Sequence, residues 1–389
     1  MRVLHTADWH VGRAIRGHSR ADEHRAVLSE IAGLAAEHEV DVVLIAGDQF
    51  DTAAPSAEAE QIVYQALLDL AATGAQVVLI AGNHDNPRRW GAIAPLLTRS
   101  EVHAAATVRR PDEGGVIEVR TRGGEIARVA LLPFMSQRFV IKAEQLMELD
   151  PGQHASHYAD RCKLIISAMA QQFTPDTVNL MLAHLTVTGG EPVLGGGERA
   201  AHTIFDYFVT PQAFPAVTHY VALGHLHLPH RIPGPAPLWY AGSPLALDFG
   251  EKERDHKAAL LIDVTADTPA QVQQLPLSSG RRLRTVRGTL DELLSRRDDL
   301  DPDAYLRVLL DEPPRTGLAR AVREEFPQAV DVSVSSQVSD GLPRLEPRDV
   351  HGSPQELFAR YLAAQGAEDQ ALESLFARLL EEEHAADAS

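Results

Sequence analysis

Five apolar runs divide the first 230 residues, and each hands over to polar residues able to bind a metal. Leu4 leads to Asp8 and His10, and the run at 42–46 leads to Gly47-Asp48. The run at 77–81 ends in Gly82-Asn83-His84-Asp85. The run at 180–183 leads to His184, and that at 220–223 leads to Gly224-His225-Leu226-His227. Short runs without polar interruption fit strands covered on both faces. Between the first runs the spacing becomes helical. Residues 21–37 carry Val27, Leu28, Ile31 and Leu34, and Pro55-Ser56 opens a second helix bearing Ile62, Val63, Leu67 and Leu70. Gly74 follows that helix, where a left-handed C-cap is often required. The strand–helix–strand–helix–strand order predicts right-handed crossovers and a parallel sheet.

After residue 100 the pattern changes. Residues 116–120 and 126–132 flank Thr121-Arg122-Gly123-Gly124-Glu125, a hairpin pattern. A helix is expected over 158–173, with Leu164, Ile165, Ile166 and Met169. Strands at 179–183, 220–223, 238–241 and 258–264 are accounted for by a second sheet packed on the first. Gly189-Gly190 and Gly195-Gly196-Gly197 mark a loop near the site entrance. Residues 1–275 thus form one domain. Around 276–281 the ligand-type residues stop, and 283–287, 289–296, 305–310, 317–326 and 330–334 read as strand, helix, strand, helix, strand. These make a small α+β capping domain over 281–340. A linker over 341–354 leads to a helical C-terminal segment, 350–389, whose Leu372, Leu375, Phe376, Leu379 and Leu380 recur at helical period opposite acidic residues. That segment fits either a helix packed on its own domain or a tethered helical pair that binds a partner.

A chain of 389 residues exceeds what one hydrophobic core usually supports. Its 44% hydrophobic and 23% charged residues are ordinary for a globular protein. The absence of a long apolar run and of a signal-peptide pattern points to a cytoplasmic protein. Cys162 is the only cysteine, which excludes an internal disulfide and makes thiolate zinc sites implausible. The net charge of -18 argues only weakly against nucleic acid, because carboxylates that hold divalent cations reverse the local sign.

Asp8, His10, Asp48, Asn83, His184, His225 and His227 offer the mixed carboxylate, imidazole and amide oxygen set that hard or borderline cations such as Mn²⁺ favour. Seven ligands suffice for two ions if one carboxylate bridges, and Asp48 is the natural bridge. All seven sit at strand ends, where sites form in open α/β sheets. The ordered series Asp-x-His, Gly-Asp, Gly-Asn-His-Asp, His and Gly-His-x-His resembles the signature of the calcineurin-like metallophosphoesterases. Within that family, Leu4-His5-Thr6-Ala7-Asp8-Trp9-His10, Ala46-Gly47-Asp48-Gln49-Phe50-Asp51-Thr52 and Ala222-Leu223-Gly224-His225-Leu226-His227 look like the SbcD-type nuclease subunits, and Tyr240-Ala241-Gly242-Ser243-Pro244 also fits.

The resemblance implies an α/β protein with a four-layer α/β/β/α metallophosphoesterase domain, the small α+β capping domain and the helical tail. It implies one ion on Asp8, His10, Asp48 and His227 and another on Asp48, Asn83, His184 and His225, usually Mn²⁺ with Mg²⁺ a poorer substitute. His84 is then left to face the scissile phosphate. Asp85 either orients its ring or caps the turn. The implied activity is DNA cleavage, as a 3′→5′ exonuclease and a single-strand or hairpin endonuclease. The implied partners are DNA, an SbcC-type coiled-coil ATPase bound through the tail, and a second copy of the chain. Alternatives are a phosphodiesterase for small or cyclic nucleotides and a non-catalytic scaffold for the ATPase. One departure stands out: archaeal and eukaryotic relatives carry a second active-site histidine shortly after the bridging aspartate, where this chain, like bacterial ones, has Asp51. Arg13, Arg16, Arg20, Arg88 and Arg89 are candidates for DNA phosphates or ordinary solvated arginines. Trp9 reads as a packing residue, and His5, His18, His24, His38 and His103 as structural.

Overall fold

The computed structural model describes residues 1–136, 140, 158–189, 208–251 and 256–334, together with 358, 362, 372 and 374–376. The principal strands and helices are numbered in chain order. β1 (Arg2–Thr6), β2 (Val42–Ile45), β3 (Gln76–Ile80) and β4 (Val102–Ala105) lie side by side and parallel. The helices between them are α1 (Ala21–Glu37), α2 (Ala57–Ala72) and α3 (Pro87–Leu97). Ser56 caps α2 by accepting from the Ala59 amide, and Asn86 caps α3 with Pro87 at its first position. Their apolar faces, including Val27, Ile31, Val63 and Leu67, pack with Leu4, Val43 and Val77 in a single core. Trp90 of α3 lies against Phe50 and Tyr64, with ring centroids 5.7 and 6.1 Å apart, which ties α3 to α2 and to the loop after β2.

The second sheet has β5 (Val116–Arg120), β6 (Ile126–Leu132), β7 (Val178–His184), β8 (Tyr220–Gly224), β9 (His230–Ile232) and β10 (Leu238–Tyr240) in the order β9-β10-β8-β7-β6-β5. The expected hairpin is present as antiparallel β5 and β6. The outer face of this sheet is covered by α4 (Tyr158–Ala170) through Cys162, Ile165, Ile166 and Met169. Between the sheets lies a third core built from Val42, Leu44, Val78, Leu180, Leu182 and Ala222, among others. At about 1.5–3 kcal/mol for each fully buried aliphatic side chain, this core locks the sheets face to face. The result is four layers, α/β/β/α. One expectation changes: β11 (Ala258–Asp263) belongs to the first sheet, antiparallel to β1, and β12 (Gln271–Pro276) pairs outside it. The open edge of β1 needed a partner, and apolar content alone does not say which sheet a strand joins.

The capping unit follows the predicted order: β13 (Leu283–Gly288), α5 (Leu290–Ser295), β14 (Tyr305–Leu310), α6 (Leu318–Glu325) and β15 (Ala329–Val334). Its three strands are parallel and share a core of Leu293, Leu306, Val308, Leu318, Val322 and Phe326. Thr289 and Glu292 close a reciprocal capping box on α5. Ile15 and Phe249 meet Tyr305 and Val330 where the two units touch, beside an Arg16–Asp331 ion pair at 2.8 Å. Most of the tail, and the glycine-rich loop from Gly190 onward, lie outside the described residues. Among those described in the tail, Phe358 and Phe376 stack with centroids 4.2 Å apart.

Candidate metal centre and its relatives

The carboxyl ends of β1, β2, β3, β7 and β8 meet, and they bring all seven expected ligands together. The loops that carry them are stitched by the backbone. The amides of Asp8 and His10 donate to the carbonyls of Gly47 and Asp48, each at 3.0 Å. The His225 amide donates to both Asp8 carboxylate oxygens, at 2.9 and 3.1 Å, across 217 residues of chain. The His84 amide donates to Asp48 Oδ1 at 2.8 Å. Asp8, His10, Asp48 and His225 all have left-handed backbone, with φ of 52°, 47°, 52° and 101°. Such residues cost on the order of 1–3 kcal/mol each and persist only where the surroundings over-determine them. Gly82 acts by closeness: a Cβ there would lie 2.7 Å from Asp48 Cγ. Its smallness lets β3 approach β2, so packing explains it better than a turn.

The donor atoms fall into two groups about one oxygen. His10 Nε2 and His227 Nε2 are 3.3 Å apart, and His10 Nε2 is 3.7 Å from Asp48 Oδ2. Asp8 joins this group. On the other side Asn83 Oδ1 lies 2.9 Å from both His184 Nε2 and His225 Nδ1, which are 3.3 Å apart. His184 Nε2 is 3.5 Å from the same Asp48 Oδ2. His184 Nδ1 is 2.8 Å from the Ala46 carbonyl, so that nitrogen carries the proton and Nε2 turns a lone pair inward. Lone pairs crowded in this way, on side chains that are buried or nearly so, need protons or cations between them. The electrostatics agree. Burial next to Asp48 pushes Asp8 up to about 7. Burial opposes the His184 cation, yet Asp48 and Asp8 raise its pKa to about 9. Imidazole, carboxylate and amide oxygen without thiolate are the donors that suit Mn²⁺-like divalent ions, so the residues fit such ions.

His84 stands beside this cluster, its ring edge-on to His10 with centroids 4.7 Å apart and its Nδ1 2.7 Å from the Asp51 carbonyl. Asp85 has a different role from ring orientation. Its carboxylate accepts from the amides of Gly82 at 2.8 Å, Phe50 at 3.1 Å and Gln49 at 3.4 Å. It therefore clamps the loop after β3 to the loop after β2. The side chain folds back to satisfy three backbone amides, one on its own turn and two on the loop after β2. Burial and the Asp48 charge push its pKa up to about 6.

Residues 1–229 match the family described as calcineurin-like phosphoesterase. The chain is 36% identical over 287 residues to the D subunit of the Bacillus subtilis nuclease SbcCD, covering 73% of this chain and 71% of that one. The corresponding SbcCD protein of Rhodobacter capsulatus is 33% identical over 80% of this chain and 81% of its own length. That of Escherichia coli K12 is 30% identical over 64% and 62%. The chain belongs to the SbcD family of calcineurin-like phosphoesterases. It is a metal-dependent phosphodiesterase of the nuclease class. No helix among the described residues is long and apolar enough to cross a membrane.

Within this SbcD-family fold the five candidate arginines separate. Arg20 is buried, paired with Glu23 at 2.7 Å and bonded to the Ala246 carbonyl, so it is structural. Arg13 is held by Asp51 at 3.1 Å, Arg16 by Asp331 and Arg89 by Glu60. Arg88 alone of the five is exposed without an ion pair among the described residues. Trp9 is fully buried and donates to Thr6 Oγ1 at 3.0 Å, as a packing residue.

Two participants escaped the sequence reading. Phe134, just past β6, stacks on His225 and meets the His184 ring edge, with centroids 6.4 and 6.2 Å away. Its position at a strand end was the available signal, masked by its being neither acid nor imidazole. Lys257 Nζ donates to the His227 carbonyl at 3.2 Å and Ser243 Oγ at 3.0 Å while paired with Glu251 at 2.6 Å. It lines a cavity of about 430 Å³ bordered by Arg281 and Arg282, whose lining includes none of the seven ligands.

Proposed function

We propose that the chain is a two-metal DNA nuclease, cleaving ends as a 3′→5′ exonuclease and hairpins or single strands as an endonuclease. The observation that carries this reading is Asp48 Oδ2 lying within 3.5–3.7 Å of ring nitrogens from both donor groups. Asp8, His10, Asp48 and His227 would hold one ion, and Asp48, Asn83, His184 and His225 the other, with Mn²⁺ the best match. When bound, the ions supply charge neutralisation for a phosphodiester and activation of a water. His84 meets the phosphate. Its Nδ1–H donates to the Asp51 carbonyl, and its Nε2, when it too is protonated, stabilises charge on the non-bridging oxygens or gives a proton to the departing 3′ oxygen. Asp85 keeps the loop that presents His84 against the loop that presents Asp48. Phe134 excludes water from the His184–His225 side. His84 and Asp85 thus act as catalytic group and positioning carboxylate.

The name that the relatives share, the D subunit of nuclease SbcCD, supports a nucleic-acid substrate and a companion protein in a complex. We assign the partner as an SbcC-type coiled-coil ATPase gripped by residues 350–389, with the cap over 281–340 guiding DNA to the centre and the nuclease domain, 1–275, forming a homodimer. Labelled linear and hairpin DNA incubated with Mn²⁺, with and without the ATPase, tests the reading. Cleavage abolished by EDTA and restored by Mn²⁺ is expected. No product from either DNA in either condition would overturn it.

A further inference from the structure

His10 and His84 have different jobs in the reading above, yet one residue faces Nδ1 of both rings. Asp51 Oδ1 faces His10 Nδ1 at 3.4 Å, an ion-pair contact rather than a hydrogen bond, and Nδ1 has no hydrogen-bond partner among the described residues, which leaves this carboxylate as the group that bears on it. The same oxygen takes Arg13 Nη1 at 3.1 Å, and Arg13 Nε is anchored on the Leu247 carbonyl at 3.2 Å. The Asp51 backbone carbonyl accepts from His84 Nδ1 at 2.7 Å. With the two rings packed edge-on at 4.7 Å, neither can swing without disturbing the other.

A neutral imidazole has one N–H and one lone pair, and the partner at Nδ1 decides which nitrogen is which. A carboxylate at His10 Nδ1 keeps the proton there. Nε2 then turns its lone pair toward His227 Nε2 and Asp48 Oδ2, and the ring becomes a stronger donor. A carbonyl at His84 Nδ1 likewise keeps a proton there, so the Nε2 that faces substrate is the nitrogen that takes up and gives the second proton. An aspartate this close to a phosphate site would repel the phosphate if it faced one. Here its charge is instead absorbed by Arg13 and turned on a ligand.

We propose that Asp51 is the positioning residue of the centre, its carboxylate fixing the tautomer of His10 and its carbonyl that of His84. The inference rests on the two-metal reading of the same site. Three variants of the full-length, metal-stripped protein test it by Mn²⁺ titration calorimetry and thermal melting. Asp51→Ala should weaken Mn²⁺ binding about 10–100-fold while the stripped protein melts as the wild type does. Asp51→Asn, which keeps an acceptor oxygen, should recover part of the loss. Asp51→Ala combined with Arg13→Ala should stay weak, because the lost carboxylate and not an unpaired guanidinium is the cause. Wild-type affinity in Asp51→Ala, full recovery in the double variant, or a loss matched by an equal fall in melting temperature would each overturn it. Metal binding is read without DNA, so failure of the wild-type protein to cut DNA bears on the nuclease reading alone.

Discussion

The nuclease domain and the cap are built by the same rule, parallel strands joined through helices, and only one of them has chemistry at its strand ends. β1, β2 and β3 run out into Asp8, Asp48 and Asn83. β13 and β14 run out into Gly288 and Asp311, and Asp311 spends its charge on exposed Arg287 at 2.8 Å. Four ligands of the nuclease domain have left-handed backbone, whereas no non-glycine residue among the described residues of the cap does. Parallel sheet topology supplies a place where side chains can meet. Buried acids and imidazoles held in costly conformations turn the place into a site, and that cost is sustained only by a second sheet packed behind it.

The largest effect expected from breaking this contrast is at His84. His84→Leu should lower DNA cleavage by about 10²–10⁴-fold, the usual range for a proton-transfer group, while Mn²⁺ titration still finds two sites. Retained cleavage would end its catalytic assignment. In the cap, Phe326 is 1% exposed and fills the core, so Phe326→Ala should cost about 3–5 kcal/mol there. Calorimetry should show the cap transition moving down with Mn²⁺ affinity intact. A joint fall of both would show that the two units are one cooperative block.

Acid should separate the units as well. Burial lowers His5 to about 3 and His24 to about 4, from 6.5, so both are neutral in the fold. The unfolded chain takes up these protons first. The stability they represent is complete above pH 6.5 and is lost as pH falls toward 4 and then 3. Residues 283–334 contain no histidine. Asp8 and Asp85, raised to about 7 and about 6, gain stability over the same fall and oppose the histidines down to about pH 4. Melting of the metal-free protein should therefore show the nuclease domain falling faster than the cap only below about pH 4, where the carboxyl gain is complete and His5 still takes up its proton. Equal slopes below about pH 4 would contradict it. The smallest effect is at Asn83, a neutral ligand among charged ones. Asn83→Ala should weaken one Mn²⁺ site by roughly tenfold, measured by titration, and leave the other near its wild-type affinity.

What the sequence made readable was whatever a strand end carries by itself. Asp8, His10, Asp48, Asn83, His184, His225 and His227 each follow an apolar run, and all seven converge. The cap was readable for the same reason, because each of its elements has its own period. Relations across long separations were hidden. Asp85 serves backbone amides on another loop, at Gln49 and Phe50, and nothing in Gly-Asn-His-Asp announces them. Gly82 is small on account of Asp48, 34 positions away in number but in contact in space. β11 has the apolar content of its neighbours in sequence and joins the other sheet. Phe134 has no ionisable group to draw attention.

The place of β1 in the first sheet has a consequence for synthesis on the ribosome. Arg2–Thr6 lies between β2 and β11, and its antiparallel neighbour, Ala258–Asp263, is made long after it. At ordinary elongation rates the gap between the two is on the order of 10–50 s. Through that interval one edge of β1 offers unpaired amides and carbonyls to any passing chain. Asp8 likewise waits for the amide of His225. The nascent chain thus carries an open strand edge until Ala258–Asp263 arrives, and that edge is where mispairing would start.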